Sequence, residues 1–270
     1  MAKTNHRKKL RRNKKKQSPP IARKWAWIIT VCVVAALLIF LLVRSKKPHH
    51  VFKTYTGFGI PIPADFIIHG IDVSRYQGLI NWEMVKEMNI DSIQIGFAFI
   101  KATEGLESKD PQFAENWREA RRVGIPRGAY HFFLPDRDGT LQAKNFISQV
   151  PELLPGDLPP VVDIEKLNGT LPAIMRKELL EFITLTKAHY GVKPIIYTFS
   201  SFYKDYLQDV FPDNPLWIAH YKLQNKRPAL NRDWQFWQHS ETARVSGINV
   251  PVDMNVFYGD SLLFSELLLD

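Results

Sequence analysis

The run Leu158-Pro-Pro-Val-Val-Asp163-Ile-Glu165 is a short apolar segment ending in two acidic residues, followed by an amphipathic stretch over 172–190 and a second apolar run over 194–199. Strand, helix, strand is the order of a crossover unit, and repeated alternation of this kind implies a parallel sheet. Working outward, further apolar runs lie at 67–73, 93–101 and 125–133 on one side and at 216–220, 235–239 and 254–257 on the other. Amphipathic segments over 82–88, 111–123 and 141–150 separate the early runs, whereas the last three have shorter connections. Eight strands in about 200 residues predict an α/β fold, an irregular TIM-like (β/α) barrel with eight strands and fewer helices.

The amino-terminal end differs in composition from the rest. Eleven Lys or Arg and no acid occur in residues 1–24, and residues 25–43 then carry no charge. Nineteen apolar residues rise far enough to match a hydrocarbon core. They exceed the short apolar stretch of a cleavable signal peptide. The expected organisation is therefore a basic cytoplasmic tail (1–24), a transmembrane helix (25–43), a linker (44–64) rich in Pro and Gly, and a barrel domain (65–270). The basic excess before the span predicts a single pass in the cytoplasmic membrane, with the amino terminus inside and the barrel on the extracytoplasmic side. The formal net charge of +9 misleads about partners, because from Thr54 onward 21 basic residues face all 27 acids. No nucleic acid is expected as a partner. Cys32, the single cysteine, falls inside the apolar stretch, so no disulfide is expected in the barrel and its core must stabilise it.

Side chains alternate along a strand, so Asp163 and Glu165 point the same way. Two carboxyls side by side at the mouth of a buried strand repel one another and lose hydration, and one of them then holds its proton near neutral pH. A protonated acid beside an ionised one is the apparatus of glycoside hydrolysis. Other polar residues fall at successive strand ends, where barrels of this kind collect their chemistry. Asp72, Glu104, Tyr130, Tyr197, Tyr221 and Gln238 follow or close their strands, and Asp253 opens the last. His69, His131, His220 and His239 also lie near strand ends but show no metal-ligand spacing, so no metal is expected. No phosphate loop, dinucleotide fingerprint or nucleophile elbow occurs, and no cofactor is expected.

With these motifs in this order the chain resembles glycoside hydrolase family 25, the Chalaropsis-type lysozymes. The resemblance rests on His69-Gly-Ile-Asp72-Val-Ser-Arg-Tyr-Gln-Gly78, Lys101-Ala-Thr-Glu-Gly105, Gly128-Ala-Tyr-His-Phe132, Val162-Asp163-Ile-Glu165, Ile196-Tyr197-Thr198, Trp217-Ile-Ala-His-Tyr221, Trp237-Gln238 and Val252-Asp253-Met-Asn-Val256. It implies hydrolysis of the β-1,4 bond between N-acetylmuramic acid and N-acetylglucosamine, with peptidoglycan glycan strands as the partner. Carried onto this chain, Glu165 is the general acid and later the base, and Asp163 orients the substrate's 2-acetamido group as that group attacks the anomeric carbon. Asp72 and Asp253 are the family's other two acids. Tyr130, Tyr197, Trp217 and Tyr221 line the sugar subsites, with Glu104 and Gln238 as further binding residues. Direct nucleophilic attack by Asp163, and an inverting reaction with Asp163 or Asp253 as base, stay open at this level. Two other functions compete: a peptidoglycan-binding protein without turnover, and a glycosidase for another acetamido sugar polymer.

Overall fold

The computed structural model describes residues 25, 28–35, 52–221 and 227–270. The chain divides into two units, Met1–His49 and His50–Asp270. In the first, Trp25 and residues 28–35 are helical and exposed. Among the described residues no helix is long and apolar enough to cross a membrane. This finding corrects the expected transmembrane helix over 25–43. The single-pass topology, the extracytoplasmic placement and the membrane as a partner were inferred from that helix and fall with it. Residues 1–24, 26–27 and 36–51 lie outside the described residues.

The second unit opens with an antiparallel hairpin, β1 (Phe52–Tyr55) and β2 (Ile60–Pro63). These residues lie within the stretch read as a linker, yet Phe58, Ile60 and Ile62 are buried. The period-two alternation Ile60-Pro-Ile62 is too short to stand out in the sequence, and only packing reveals its purpose. The following strands are β3 (His69–Val73), β4 (Ile95–Glu104), β5 (Ser108–Lys109), β6 (Arg127–Phe132), β7 (Val161–Asp163), β8 (Ile195–Phe199), β9 (Leu216–Ala219), β10 (Phe236–Ala243) and β11 (Val252–Phe257). Their order is β3-β11-β10-β9-β8-β7-β6-β4, and β3 also pairs with β4, so eight strands close into the expected irregular barrel. The two-residue β5 is appended to the far end of β4.

Seven strands, β3, β4 and β6 to β10, run parallel. The last, β11, is antiparallel to both its neighbours. The link from Ala243 to Val252 is shorter than the dozen or so residues a parallel crossover needs, so the chain must turn back. The consequence is functional: β11 begins at the rim where the other strands end, and Asp253 pairs with Asp72.

Helices over Trp82–Glu87, Phe113–Arg122, Gly139–Gln149 and Pro172–Tyr190 follow β3, β4, β6 and β7. The β1–β2 hairpin packs on β10 instead: the Phe52 ring meets Trp237 edge-on at 5.8 Å, and the Arg244 amide donates to the Phe58 carbonyl at 2.9 Å. Inside the barrel, Phe97 and Phe99 of β4 pack against Phe236 and Trp217. They fit because their flanking strands carry glycine: a Cβ at Gly70 would lie 2.4 Å from the Phe97 ring, and one at Gly128 would lie 2.6 Å from Phe99.

Candidate active site

The strand ends enclose a cleft of about 330 Å³. Asp72, Tyr130, Asp163, Glu165, Tyr197, Trp217, Tyr221, Gln238 and Asp253 all line it. Glu104 does not; its carboxylate holds the Lys101 ammonium at 2.7 Å, and Lys101 is the residue that reaches the cleft. Alternation brings Asp163 and Glu165 to one side, with Ile164 buried behind them. Trp217 sits in the floor, nearly fully buried and stacked on Phe99 at 4.3 Å between ring centres.

Below the acid pair, a chain of directed hydrogen bonds fixes the floor. One Asp72 oxygen accepts from the Asn255 amide at 2.7 Å and from the Gln238 amide at 2.9 Å. With its nitrogen so engaged, Gln238 turns its oxygen to the Tyr197 hydroxyl, which donates at 2.8 Å. Asn255 likewise accepts from the Trp217 indole at 2.7 Å. Each amide uses both ends, so neither can flip without losing two bonds. Asp253 adds a carboxyl–carboxyl hydrogen bond to Asp72. Burial pushes Asp253 up to about 9, helped by the neighbouring Asp72 charge. Burial also raises Asp72, to about 6, but the donors Asn255, Gln238 and Asp253 hold it down. Near neutrality Asp253 therefore carries the proton and Asp72 the charge.

Burial likewise raises Asp163 well above the ordinary carboxyl range, with Glu165 repulsion adding to it and Lys101 opposing. Glu165 is raised as well, chiefly by burial, with Lys166 and Lys101 opposing. The pair thus shares a proton, as two adjacent carboxyls in a poorly hydrated cleft must. Asp163 Oδ1 is buried and has no hydrogen-bond partner in the protein. Glu165, less buried, lies within hydrogen-bonding reach of Tyr197.

Sequence reasoning missed several contributors. Asn255 stands two positions after Asp253, so strand alternation could have placed both on one face. Lys101 occupies the quoted Lys-Ala-Thr-Glu-Gly run, but an ion pair within it cannot be read from spacing. Tyr76 and Gln77, inside the quoted run His69–Gly78, and Glu241, at the irregular end of β10, also line the cleft, and their spacing alone does not mark them as cleft residues. Among the described residues the four histidines near strand ends form no group that could share an ion. His131 bonds Thr103 and Gln142, His69 bonds the Phe66 carbonyl, and His220 bonds Ser200. Among the described residues the acids Asp138, Glu178 and Glu181 are the one group close enough to share an ion. They are already engaged as a helix cap, by the Gly139 amide and by Lys177.

A closed eight-stranded barrel with two adjacent carboxyls of raised proton affinity in a polar cleft at its strand ends defines a glycoside hydrolase. Residues 71–248 match the sequence family described as Glycosyl hydrolases family 25. Uncharacterized protein YegX of Escherichia coli K12 is 42% identical over 208 residues, covering 77% of this chain and 76% of that protein. Lysozyme M1 of Streptomyces globisporus is 37% identical over 213 residues, covering 74% and 71%. The structure of a family 25 glycosyl hydrolase from Bacillus anthracis aligns with a TM-score of 0.70 at 34% identity, over 83% of this chain and 100% of that one. The chain belongs to glycosyl hydrolases family 25.

Proposed function

We propose that this protein is a peptidoglycan muramidase that cleaves the β-1,4 bond between N-acetylmuramic acid and N-acetylglucosamine, with retention and with the substrate's own 2-acetamido group as nucleophile. Family membership and the likeness to a lysozyme support the bond and the substrate. One observation carries the chemistry: Asp163 lines the cleft beside Glu165, and its Oδ1 has no protein partner. An acceptor left open in this way suits a substrate N–H, and an acetamido group supplies one.

Glu165 gives its proton to the departing glycosidic oxygen while the acetamido oxygen attacks the anomeric carbon and the bond to the leaving sugar breaks. Asp163 accepts the acetamido N–H, which favours its ionised form and leaves the shared proton on Glu165, and its negative charge stabilises the positive charge that develops on the ring so formed. Glu165, now ionised, takes a proton from water, which opens that ring and restores the acetamido group with the original configuration. Tyr197 and Gln238 hold the floor of the cleft against Asp72, and Tyr130 and Tyr221 offer aromatic surface to sugar C–H faces. A binding protein without turnover needs the aromatic walls and has no use for an acid pair whose burial is unfavourable, so the four acids favour hydrolysis.

Mass analysis of the products from purified peptidoglycan tests this reading. Muropeptides with muramic acid at the new reducing end are expected, with chitin oligomers cut poorly by comparison. Products ending in glucosamine would mean the other bond is cut, and anhydro-muramic products would mean a lytic reaction.

A further inference from the structure

A second concavity, of about 220 Å³, lies between the β1–β2 hairpin and β10. Phe52 and Ile60 form its hairpin side, and His220, Tyr221, His239 and Glu241 the other. His239 is only 7% exposed, and neither of its ring nitrogens has a hydrogen-bond partner in the protein. Buried imidazole nitrogens in this state are unfavourable unless something else engages them, and they are rare in folded proteins. His220 has Nδ1 bound to the Ser200 hydroxyl at 2.8 Å, which leaves Nε2 as the nitrogen open to a ligand.

The chemistry of the groove narrows what it takes. Burial lowers the proton affinity of both imidazoles, that of His239 to about 3, so each is neutral near pH 7 and offers one donor and one acceptor. Among the described residues lining the groove there is no lysine or arginine, and Glu241 is acidic. An anionic ligand such as a lactyl or stem-peptide carboxylate would meet repulsion from Glu241. A neutral ligand bearing hydroxyl and amide groups would find complementary partners, and the Phe52 and Tyr221 rings suit the C–H faces of a sugar. Tyr221 and Glu241 line this groove and the catalytic cleft alike, so the two adjoin across this pair.

We propose that the groove beneath the hairpin is an additional sugar subsite, which takes an uncharged N-acetylglucosamine unit of the same glycan strand away from the bond being cut. This assignment rests on the muramidase reading for the identity of the strand. Its consequence is a preference for longer strands, which reach from the cleft past Tyr221 into the groove.

The test uses the full chain carrying Glu165→Gln to prevent turnover, titrated calorimetrically with peptide-free glycan strands of alternating N-acetylglucosamine and N-acetylmuramic acid. A tetrasaccharide and an octasaccharide are compared. The octasaccharide should bind about fivefold tighter or more, the equivalent of one or two net hydrogen bonds. Adding Thr242→Trp, an exposed rim residue whose enlargement fills the groove, should cut that advantage to less than about twofold and leave tetrasaccharide affinity unchanged. His239→Phe, which removes both ring nitrogens, should do the same. The subsite is refuted if the parent shows no length advantage, if Thr242→Trp keeps it, or if both ligands weaken equally. If the length advantage depends on the groove but the wild-type chain releases no muropeptides, the subsite stands and the muramidase reading falls.

Discussion

Proton placement among four carboxyls sets the behaviour of individual residues. Glu165→Gln keeps the shape of the side chain but has no proton to deliver, so turnover should fall by about a hundred- to ten-thousand-fold. Glycan binding and the thermal melt should stay near wild type. Near-normal turnover in this variant would place the proton donor elsewhere, with Asp253 the next candidate. Asp253 itself binds its proton far more tightly in the folded chain, where it titrates at about 9, than in the unfolded chain, where an Asp titrates at about 4. Stability from that proton is complete below about pH 4 and is lost as pH rises toward 9. Asn cannot titrate, so the melting temperature of Asp253→Asn should fall less than that of wild type between about pH 5 and 9. Parallel pH profiles for the two proteins would show that the Asp72–Asp253 pair does not share a proton in this way.

At the scale of elements, the site depends on how strands were kept in register around large interior rings. Phe97 and Phe99 fill the barrel beneath the acid cluster, and Gly70 on β3 leaves the space that the first of them occupies. Gly70 also stands two residues before Asp72 on the same face, so displacing it shifts the carboxyl that Gln238 and Asn255 hold. Gly70→Ala should destabilise the protein by about 1–3 kcal/mol, as expected of overpacking a core. It should also lower turnover more than a purely global destabilisation would at a temperature where the variant is still folded. Denaturant unfolding together with activity below the melt checks both effects, and unchanged stability would mean that β3 can move away from Phe97. The hairpin is an element of another kind: Phe52 and Phe58 belong to it, and it packs on the outer face of β10.

For the molecule as a whole, closure is the decisive event. β11 bridges β10 and β3, supplies Asp253 and Asn255 to the cleft, and lies beyond residues 71–248 that match the family. A chain ending at Pro251 would leave two open sheet edges and would remove two of the donors that hold Asp72. Such a chain should lose cooperative thermal unfolding and glycan binding together, as circular dichroism and calorimetry would show. Retention of a cooperative melt would mean that the seven parallel strands suffice. The adjacency of the catalytic cleft and the groove under the hairpin likewise belongs to this scale, since the shared residues Tyr221 and Glu241 come from different strand ends.

Local pattern determined much of this protein. Apolar runs alternating with amphipathic ones specified the barrel strands, because burial imposes its period directly on the sequence. Alternation placed Asp163 and Glu165 side by side, and successive polar strand ends marked most of the cleft. Nineteen apolar residues over 25–43 suggested a membrane span, but apolarity alone does not establish a helix of the necessary length, and the described helices include none. Other features were settled only by tertiary structure, because they depend on contacts between residues far apart in the chain. The reversal of β11, the Asp72–Asn255–Gln238–Tyr197 network, the diversion of Glu104 to Lys101 and the packing of the hairpin on β10 are of this kind. Donor direction and desolvation are set by what surrounds a group in space, and the sequence lists only what precedes and follows it.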